Sequence, residues 1–209
     1  MRELKEAWFE FRGIRSTDMG VEMLSRPQRE QPSAMGQSIT VSGRSGRLWL
    51  EDGVWDDVSV QVQCIIPDGD MERVTAWLTG SGELRFSDEP ERVYRARVRG
   101  GAVRTMPFAR LSAQQFTLGF DCGPFRYQYP PAEAIVLTES GAVNNPGTVA
   151  SQPRIMIEGA GDITLSVGGC LMVFEGIEGG IVVDSEAMEC FTPDGAALLN
   201  DRADMEEFP

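Results

Sequence analysis

A missing residue narrows the chemistry open to this chain: none of its 209 residues is histidine. Serine–histidine and cysteine–histidine nucleophilic pairs, histidine general bases and histidine metal sites are therefore excluded. Carboxylate, Lys, Tyr or Cys chemistry remains. The acidic pairs Asp56-Asp57, Asp68/Asp70 and Glu206-Glu207 could serve as paired carboxylates for glycoside cleavage or as calcium ligands. Asp68-Gly69-Asp70, however, lies where a strand gives way to a helix, and a turn followed by an N-cap accounts for it. An EF-hand loop would need further oxygens at fixed spacing. Gly159-Ala160-Gly161-Asp162 looks like half of a phosphate-cradling loop. No helix follows to aim its backbone N–H groups, so a β-turn explains it better. No catalytic residue, cofactor site or metal site is predicted, and the chain reads as a non-enzyme.

Cys64, Cys122, Cys170 and Cys190 contain no C-x-x-C pair, so neither a zinc ribbon nor a thioredoxin-like motif is supported. The N-terminus has no apolar run behind a basic start and does not read as a secretory signal, so four reduced thiols are expected. Cys64 and Cys122 end alternating apolar runs, where Cys behaves as a small buried hydrophobe. Of the four tryptophans, Trp77 falls on a helical apolar stripe and is assigned to the core. Trp49 and Trp55 flank Asp52-Gly53, read as a hairpin turn, and either sugar stacking or protein contact is open to them.

The elements that must hold these residues read almost entirely as strand. Trp8 to Ile14 alternates, and Gly20 to Leu24 is a short strand candidate. Ser25 to Gly36, with Pro27 and Pro32, reads as a long loop or arm. Ser38–Val41 and Arg47–Leu50 flank the turn-like Gly43-Arg44-Ser45-Gly46. Val58, Val60, Val62, Cys64 and Ile66 occupy every second position and form the clearest half-buried strand. Asp70 can cap a helix carrying Met71, Val74, Trp77 and Leu78 on one face, stopped by Gly80. Strands resume at Glu83–Ser87, Val93–Val98, Ala102–Phe108 and Phe116–Cys122. Beyond Pro130-Pro131 they continue at Ile155/Ile157, Ile163–Val167, Leu171–Phe174 and Ile181–Val183. Many short strands with regular turn signals indicate a sandwich or barrel. No stretch reaches the roughly 18 apolar residues of a membrane helix, so no membrane span is predicted.

Charge divides the chain. Residues 1–134 carry 17 Lys+Arg against 19 Asp+Glu, whereas residues 135–209 carry two Arg against 13 acids. Two units are expected, with the seam near Pro130-Pro131: residues 1–131 and 132–209. The acidity serves solubility and opposes phosphate, so direct nucleic-acid binding is not expected. Of the 19 basic residues only Lys5 is Lys. Arg suits interfaces through its planar fork, though a GC-rich coding bias explains the preference equally well.

The order of motifs resembles the distal tail (Dit) proteins of siphophages and prophages. The resemblance rests on Phe9-Glu10-Phe11-Arg12-Gly13-Ile14, Asp18-Met19-Gly20-Val21, Val41-Ser42-Gly43-Arg44-Ser45-Gly46 and Trp77-Leu78-Thr79-Gly80-Ser81-Gly82-Glu83-Leu84. Phe86-Ser87-Asp88-Glu89-Pro90, Tyr94-Arg95-Ala96-Arg97 and Phe120-Asp121-Cys122-Gly123-Pro124-Phe125 extend it. Asn145-Pro146-Gly147-Thr148, Gly159-Ala160-Gly161-Asp162-Ile163 and Val183-Asp184-Ser185-Glu186 carry it through the C-terminal part. It implies a mainly β chain, with an N-terminal β-sandwich bearing one short α-helix and a C-terminal galectin-like β-sandwich. Family members usually continue past Phe208-Pro209, so the second sandwich is expected to lack its last strands. The resemblance further implies a virion protein of the tail tip, made in the bacterial host cytoplasm, that forms a homo-hexameric ring. The ring would join the tail tube protein to the tail-associated hub protein and support receptor-binding proteins. Trp8, Phe9, Phe11, Pro27 and Pro32 are the candidate subunit interface, because aromatic anchors and a polar arm suit such contacts. The alternative is a carbohydrate-binding β-sandwich using Trp49 or Trp55; a carboxylate glycosidase is a weaker third reading.

Overall fold

The computed structural model describes residues 7–67, 71–100, 103–104, 113–205 and 208–209, in two compact units, Met1–Ala134 and Ile135–Pro209. The chain is mainly β, with a single α-helix among the described residues, as the alternating sequence pattern leads one to expect.

The first unit begins with β1 (Phe9–Phe11) and β2 (Ile14–Arg15), paired Phe11 to Ile14. The sequence reads as one strand from Trp8 to Ile14, but Arg12 and Gly13 adopt φ of 54° and 76° and fold the run into a tight hairpin. Two consecutive left-handed residues match the twist of the flanking strands, and Gly13 makes the second one cheap. A 3₁₀ turn (Ser16–Met19) follows, then β3 (Glu22–Met23), β4 (Gln28–Arg29), β5 (Ala34–Thr40), β6 (Arg47–Trp55) and β7 (Val58–Ile66). Helix α1 (Met71–Trp77) leads to β8 (Ser81–Phe86), β9 (Arg92–Arg99), β10 (Val103–Arg104) and β11 (Gln114–Gln128). Gly80, at φ 74°, ends the helical segment; the expected cap Asp70 lies outside the described residues. So do most of the expected Ala102–Phe108 strand and the acidic pairs Asp68/Asp70 and Glu206-Glu207.

Nine strands form one antiparallel sheet in the order β2-β1-β8-β9-β11-β7-β3, with β4 also on β7 and β10 on β11. Its inner face is laid down by the period-two runs. Val58, Val60, Val62 and Cys64 of β7 face Cys122, Phe120, Leu118 and Phe116 of β11, and all eight are buried. The sheet curls. Strand β1 is three strand spacings from β11, about 14 Å in a flat sheet. Yet Phe9 and Phe11 on β1 bring their rings within 6.0 and 5.6 Å of Phe120 on β11. Helix α1 adds to this core: the Trp77 indole stacks on Phe9 at 5.5 Å and donates its N–H to the Phe11 carbonyl at 3.1 Å.

An ion-pair network reinforces the curl. Arg29 on β4 donates two hydrogen bonds, of 2.8 and 2.7 Å, to Asp88 in the β8–β9 turn, while Arg126 on β11 bonds Glu89 in the same turn. Burial pushes the Asp88 carboxyl up, but the hydrogen bonds and charge of Arg29 outweigh that and hold it below its ordinary value. A carboxyl depressed in the folded state contributes stability above its unfolded pKa and loses it as pH falls through the folded one. Asp88→Asn is therefore expected to cost about 1–2 kcal/mol at neutral pH and less near about pH 3, below the ordinary carboxylate value. Urea melts of both chains at the two pH values check this, and an equal deficit at both would refute it.

The second unit holds β12 (Arg154–Ile157), β13 (Gly161–Val167), β14 (Cys170–Ile177), β15 (Ile181–Asp184), β16 (Glu189–Phe191) and β17 (Ala203–Met205). They form two three-stranded antiparallel sheets, β12-β15-β16 and β13-β14-β17. Met172, Phe174, Ile177, Ile181, Val183 and Cys190 form the buried core, flanked by Ile155, Ile163, Leu165 and Val167. Gly168 and Gly169, both at positive φ, make the two-residue turn that pairs Val167 with Cys170. Residues 131–153 contain no strand or helix. No helix of the described residues is long and apolar enough to cross a membrane.

Candidate interaction surface

Among the described residues, strands β5 and β6 pair only with each other and form a two-stranded ribbon. Its base is closed by the Asp56 N–H on the Ser33 carbonyl at 3.0 Å. The sequence reading put the projecting arm at residues 25–36 and a hairpin turn at Asp52-Gly53, and both are corrected. Residues 22–30 run along β7 instead, pairing Glu22 with Ile65 and Gln28 with Gln61. The arm is residues 34–55, and its turn is the segment around Gly43 and Gly46. Asp52-Gly53 lies inside β6, where the register slips between the Ala34–Trp55 and Gly36–Glu51 pairs. Gly53, at φ 75°, supplies the left-handed residue that a bulge demands as readily as a turn does.

That bulge decides which side chains share a face. Two extra residues on β6 keep Trp55 in phase with Glu51 and Trp49, opposite Ala34, Gly36 and Ser38. One face of the ribbon thus carries Trp49, Glu51 and Trp55; the other carries Met35, Ile39, Leu48, Leu50 and Val54. A Cβ on Gly36 would collide with the Leu50 carbonyl and sit 3.0 Å from the Trp49 ring, which lies over that glycine. Trp49 is 52% exposed and Trp55 46%; Met35, Ile39, Leu50 and Val54 are exposed as well. A lone two-stranded ribbon is marginal in water. One that is apolar on both faces is an interaction surface by composition.

The other predicted contact residues fall elsewhere. Phe9 and Phe11 are fully buried in the protomer's own core, so their side chains have no surface to offer a neighbour; this corrects their assignment to an interface. The strand alternation that made them stand out aims them inward. Pro27 is buried against the sheet, whereas Pro32 is exposed just before the ribbon. Trp8 is half-buried on the outer face of the sheet, with the Arg15 and Arg85 guanidinium groups 4.6 and 5.3 Å from its ring. Sequence reasoning passed over the aliphatic face of the ribbon, although apolar residues at both parities in 48–50 were a signal that neither face is wet.

Sequence reasoning also passed over a row of arginines. Arg95, Arg97 and Arg99 alternate with buried Tyr94, Ala96 and partly buried Val98 on β9, and so share the outer face. Arg95 lies opposite Glu83, with its guanidinium 4.5 Å from the Tyr127 ring. Arg99 bonds Asp121, and Arg97 stands 3.9 Å from that same carboxylate. Two cations thus share one anion, with Arg97 71% and Arg99 55% exposed.

Nothing comparable gathers for chemistry. No group of three or more Cys, Asp or Glu side chains among the described residues could hold a metal ion. Asp56-Asp57 is an exposed turn in which the Asp56 carboxylate accepts the Asp57 N–H. Asp162 accepts the Gly176 N–H at 2.9 Å and so ties β13 to β14 where their register slips between Gly161 and Ile163. A recess of about 30 Å³ beside Gln28, Gln61 and Thr117 has room for water and little else. All four cysteines are free thiols, and burial pushes Cys64 and Cys122 up to about 12. Thiolate is the reactive form. At neutral pH, iodoacetamide is therefore expected to label Cys64 and Cys122 only after denaturation. Mass mapping of the native protein checks this, and rapid native labelling at either position would contradict it.

Comparison with protein-family models finds no match, and comparison with curated protein sequences finds none either. Comparison with solved structures does. The chain superposes on SPP1 Dit (gp 19.1), a siphophage distal tail protein, over 91% of its own length and 84% of the other chain, with a TM-score of 0.64. The fold is that of SPP1 Dit. Identity is 20%, so the likeness is one of fold. SPP1 Dit is described as a paradigm of the hub adsorption apparatus in phages that infect Gram-positive bacteria.

Proposed function

We propose that this chain is a structural protein of a phage tail tip: a distal-tail hub that assembles with copies of itself into a ring. The observation that carries the reading is the Dit fold over nine-tenths of the chain. The ribbon supports it independently, because a protomer with an apolar arm on one side needs a receiving surface on another. Such heterologous contacts close into a ring when the rotation per copy divides a full turn. In this reading residues 1–131 form the ring and residues 132–209 are a galectin-like outer domain. The ring, a hexamer, joins the tail tube protein to the tail-associated hub protein and supports receptor-binding proteins. It does so without catalysis, without direct nucleic-acid binding, and as part of the virion after synthesis in the host cytoplasm.

Negative-stain imaging and mass measurement of the purified full chain test the proposal. Rings with a central hole, or a mass near six protomers, are expected. A wild-type chain that remains monomeric at millimolar concentration counts against self-assembly. One observation favours a second reading: Trp49 and Trp55 stand exposed on the same face of the ribbon, as sugar-stacking residues do. A carbohydrate-binding role predicts retention on host cell-wall polysaccharide that vanishes in Trp49→Ala and Trp55→Ala, with assembly unchanged.

A further inference from the structure

The two flanks of the second unit's core are closed unequally. On one flank the outer edge of β16 is covered: the Leu199 N–H donates to the Cys190 carbonyl at 2.7 Å, and the Asn200 side-chain oxygen accepts the Cys190 N–H at 2.6 Å. On the other flank lie β12 and β13, each the outermost strand of its sheet. Glu158-Gly159-Ala160 alone joins them, so both border the same side of the core. Among the described residues no strand pairs with the outer edge of either. Their core-facing side chains show the opening. Ile155 and Ile157 on β12, and Ile163, Leu165 and Val167 on β13, are only half-buried. Met172, Phe174, Ile181 and Val183 on the inner strands are fully buried. A strand edge that is apolar beneath and unpaired along its backbone is a template for a further strand.

The same unit carries a segment suited to be that strand. Ile135-Val136-Leu137-Thr138 has the β-branched, apolar composition of a strand, yet it forms none in its own chain and is exposed throughout, Val136 to 83%. Residues 139–153 are tether enough to bring it back to its own β12, and it stays unpaired. It matches the four residues of β12 in length. With Val136 opposite the exposed Met156, Ile135 and Leu137 fall beside Ile155 and Ile157 on the core side, whichever way the strand runs. Glu133 and Glu139 share the parity of Ile135 and Leu137 and then fall just beyond the ends of β12. A slip of two residues either way drives one of these carboxylates into the apolar row without a counter-charge. A slip of one turns Ile135 and Leu137 out to solvent. The glutamates therefore select one register.

We infer that residues 135–138 of one copy add as a strand to the outer edge of β12 in a second copy, covering Ile155 and Ile157. Main-chain hydrogen bonds hold such an added strand, and the alternate side chains fix its register. Each copy carries both the strand and the edge, so the exchange needs nothing but another copy. The inference goes beyond the ring reading, because it concerns the second unit and requires only that two copies meet.

A disulfide trap on the full-length chain tests it. Residues opposed across a strand pair have Cα atoms about 4.5–5.5 Å apart, a span that a disulfide bridges. Val136→Cys is placed in one chain and Met156→Cys in another, and the two are mixed in equal amounts and oxidised with copper–phenanthroline. Both positions are exposed, so both variants should melt where the wild type does. A linked dimer is expected, with peptide mapping placing the bond between the two introduced thiols. As a control, Met188→Cys, also exposed but in the β15–β16 turn, replaces Met156→Cys and should link about tenfold more slowly, because only a docked strand raises the local thiol concentration. Adding Leu137→Glu to the first chain should slow the trap by about tenfold, because a carboxylate then meets the apolar row. Equal rates for Met156→Cys and Met188→Cys overturn the inference, as does a rate that Leu137→Glu leaves unchanged. A single chain carrying both thiols that closes on itself at monomer mass, while the mixture stays unlinked, overturns it in favour of pairing within the chain. Rings in negative stain with an unlinked mixture overturn it and leave the ring reading standing. A trapped dimer without rings supports the strand exchange and counts against the ring alone.

Discussion

Ile39→Glu combined with Leu50→Glu is expected to convert an assembling chain into a folded monomer. Ile39 and Leu50 lie on the aliphatic face of the ribbon, on neighbouring cross-strand pairs, and both are exposed in the isolated protomer. Substitutions at exposed positions leave protomer stability within about 0.5 kcal/mol. Against a partner the effect is far larger. A carboxylate pressed into an apolar contact must be desolvated without a counter-charge, at a cost of several kcal/mol. Each 1.4 kcal/mol is about tenfold in affinity, so two such groups should shift assembly by about a hundredfold or more. Sedimentation velocity reads the mass, and circular dichroism with a thermal melt confirms that the protomer is intact. Wild-type assembly by the double variant would mean that this face is not buried in the ring.

The second large effect concerns the core. Phe9→Ala is expected to cost about 3–5 kcal/mol, a large share of the roughly 5–15 kcal/mol that holds a domain folded. Phe9 is fully buried, stacks face to face on Trp77 at 5.5 Å and meets Phe86 and Phe120 at 6.4 and 6.0 Å. It therefore ties helix α1 to three strands of the curled sheet. Truncation removes those contacts and leaves a cavity that rigid neighbouring strands cannot collapse into. Trp8→Ala, one residue away but on the half-exposed outer face, should cost far less. Urea unfolding of the two variants separates these accounts. A Phe9→Ala midpoint close to that of Trp8→Ala would place Phe9 outside the core and return it to the candidate interface.

These two predictions mark where sequence patterning reached its limit. Alternation is a local property, and it located β7, β8, β9 and β11 because their apolar residues recur with the period of the pleat. The same alternation placed Trp8, Phe9 and Phe11 on a strand but could not say which parity faced inward. That depends on β1 lying beside β8 and on the sheet curling until Phe9 reaches Phe120. Strands β16 and β17 were missed because they are three residues long, too short for a period to show. The glycine at 53 was legible as a left-handed residue. A turn and a bulge make the same demand of it, however, and only the pairing of β5 with β6 distinguishes them.

By itself the sequence determined what this protein is unable to do and what it is built from. No histidine means no histidine chemistry, and period-two runs broken by Gly and Asp mean short antiparallel strands. These follow from residue type and nearest-neighbour sterics, which need no tertiary partner. Tertiary structure alone decided which aromatics became core and which stayed exposed, and that the arm is the ribbon at 34–55 and not the proline segment before it. It also turned outward the face of β9 on which alternation places Arg95, Arg97 and Arg99. Those outcomes depend on strand order, register and curl, which bring together residues far apart in the chain, and no local pattern encodes them.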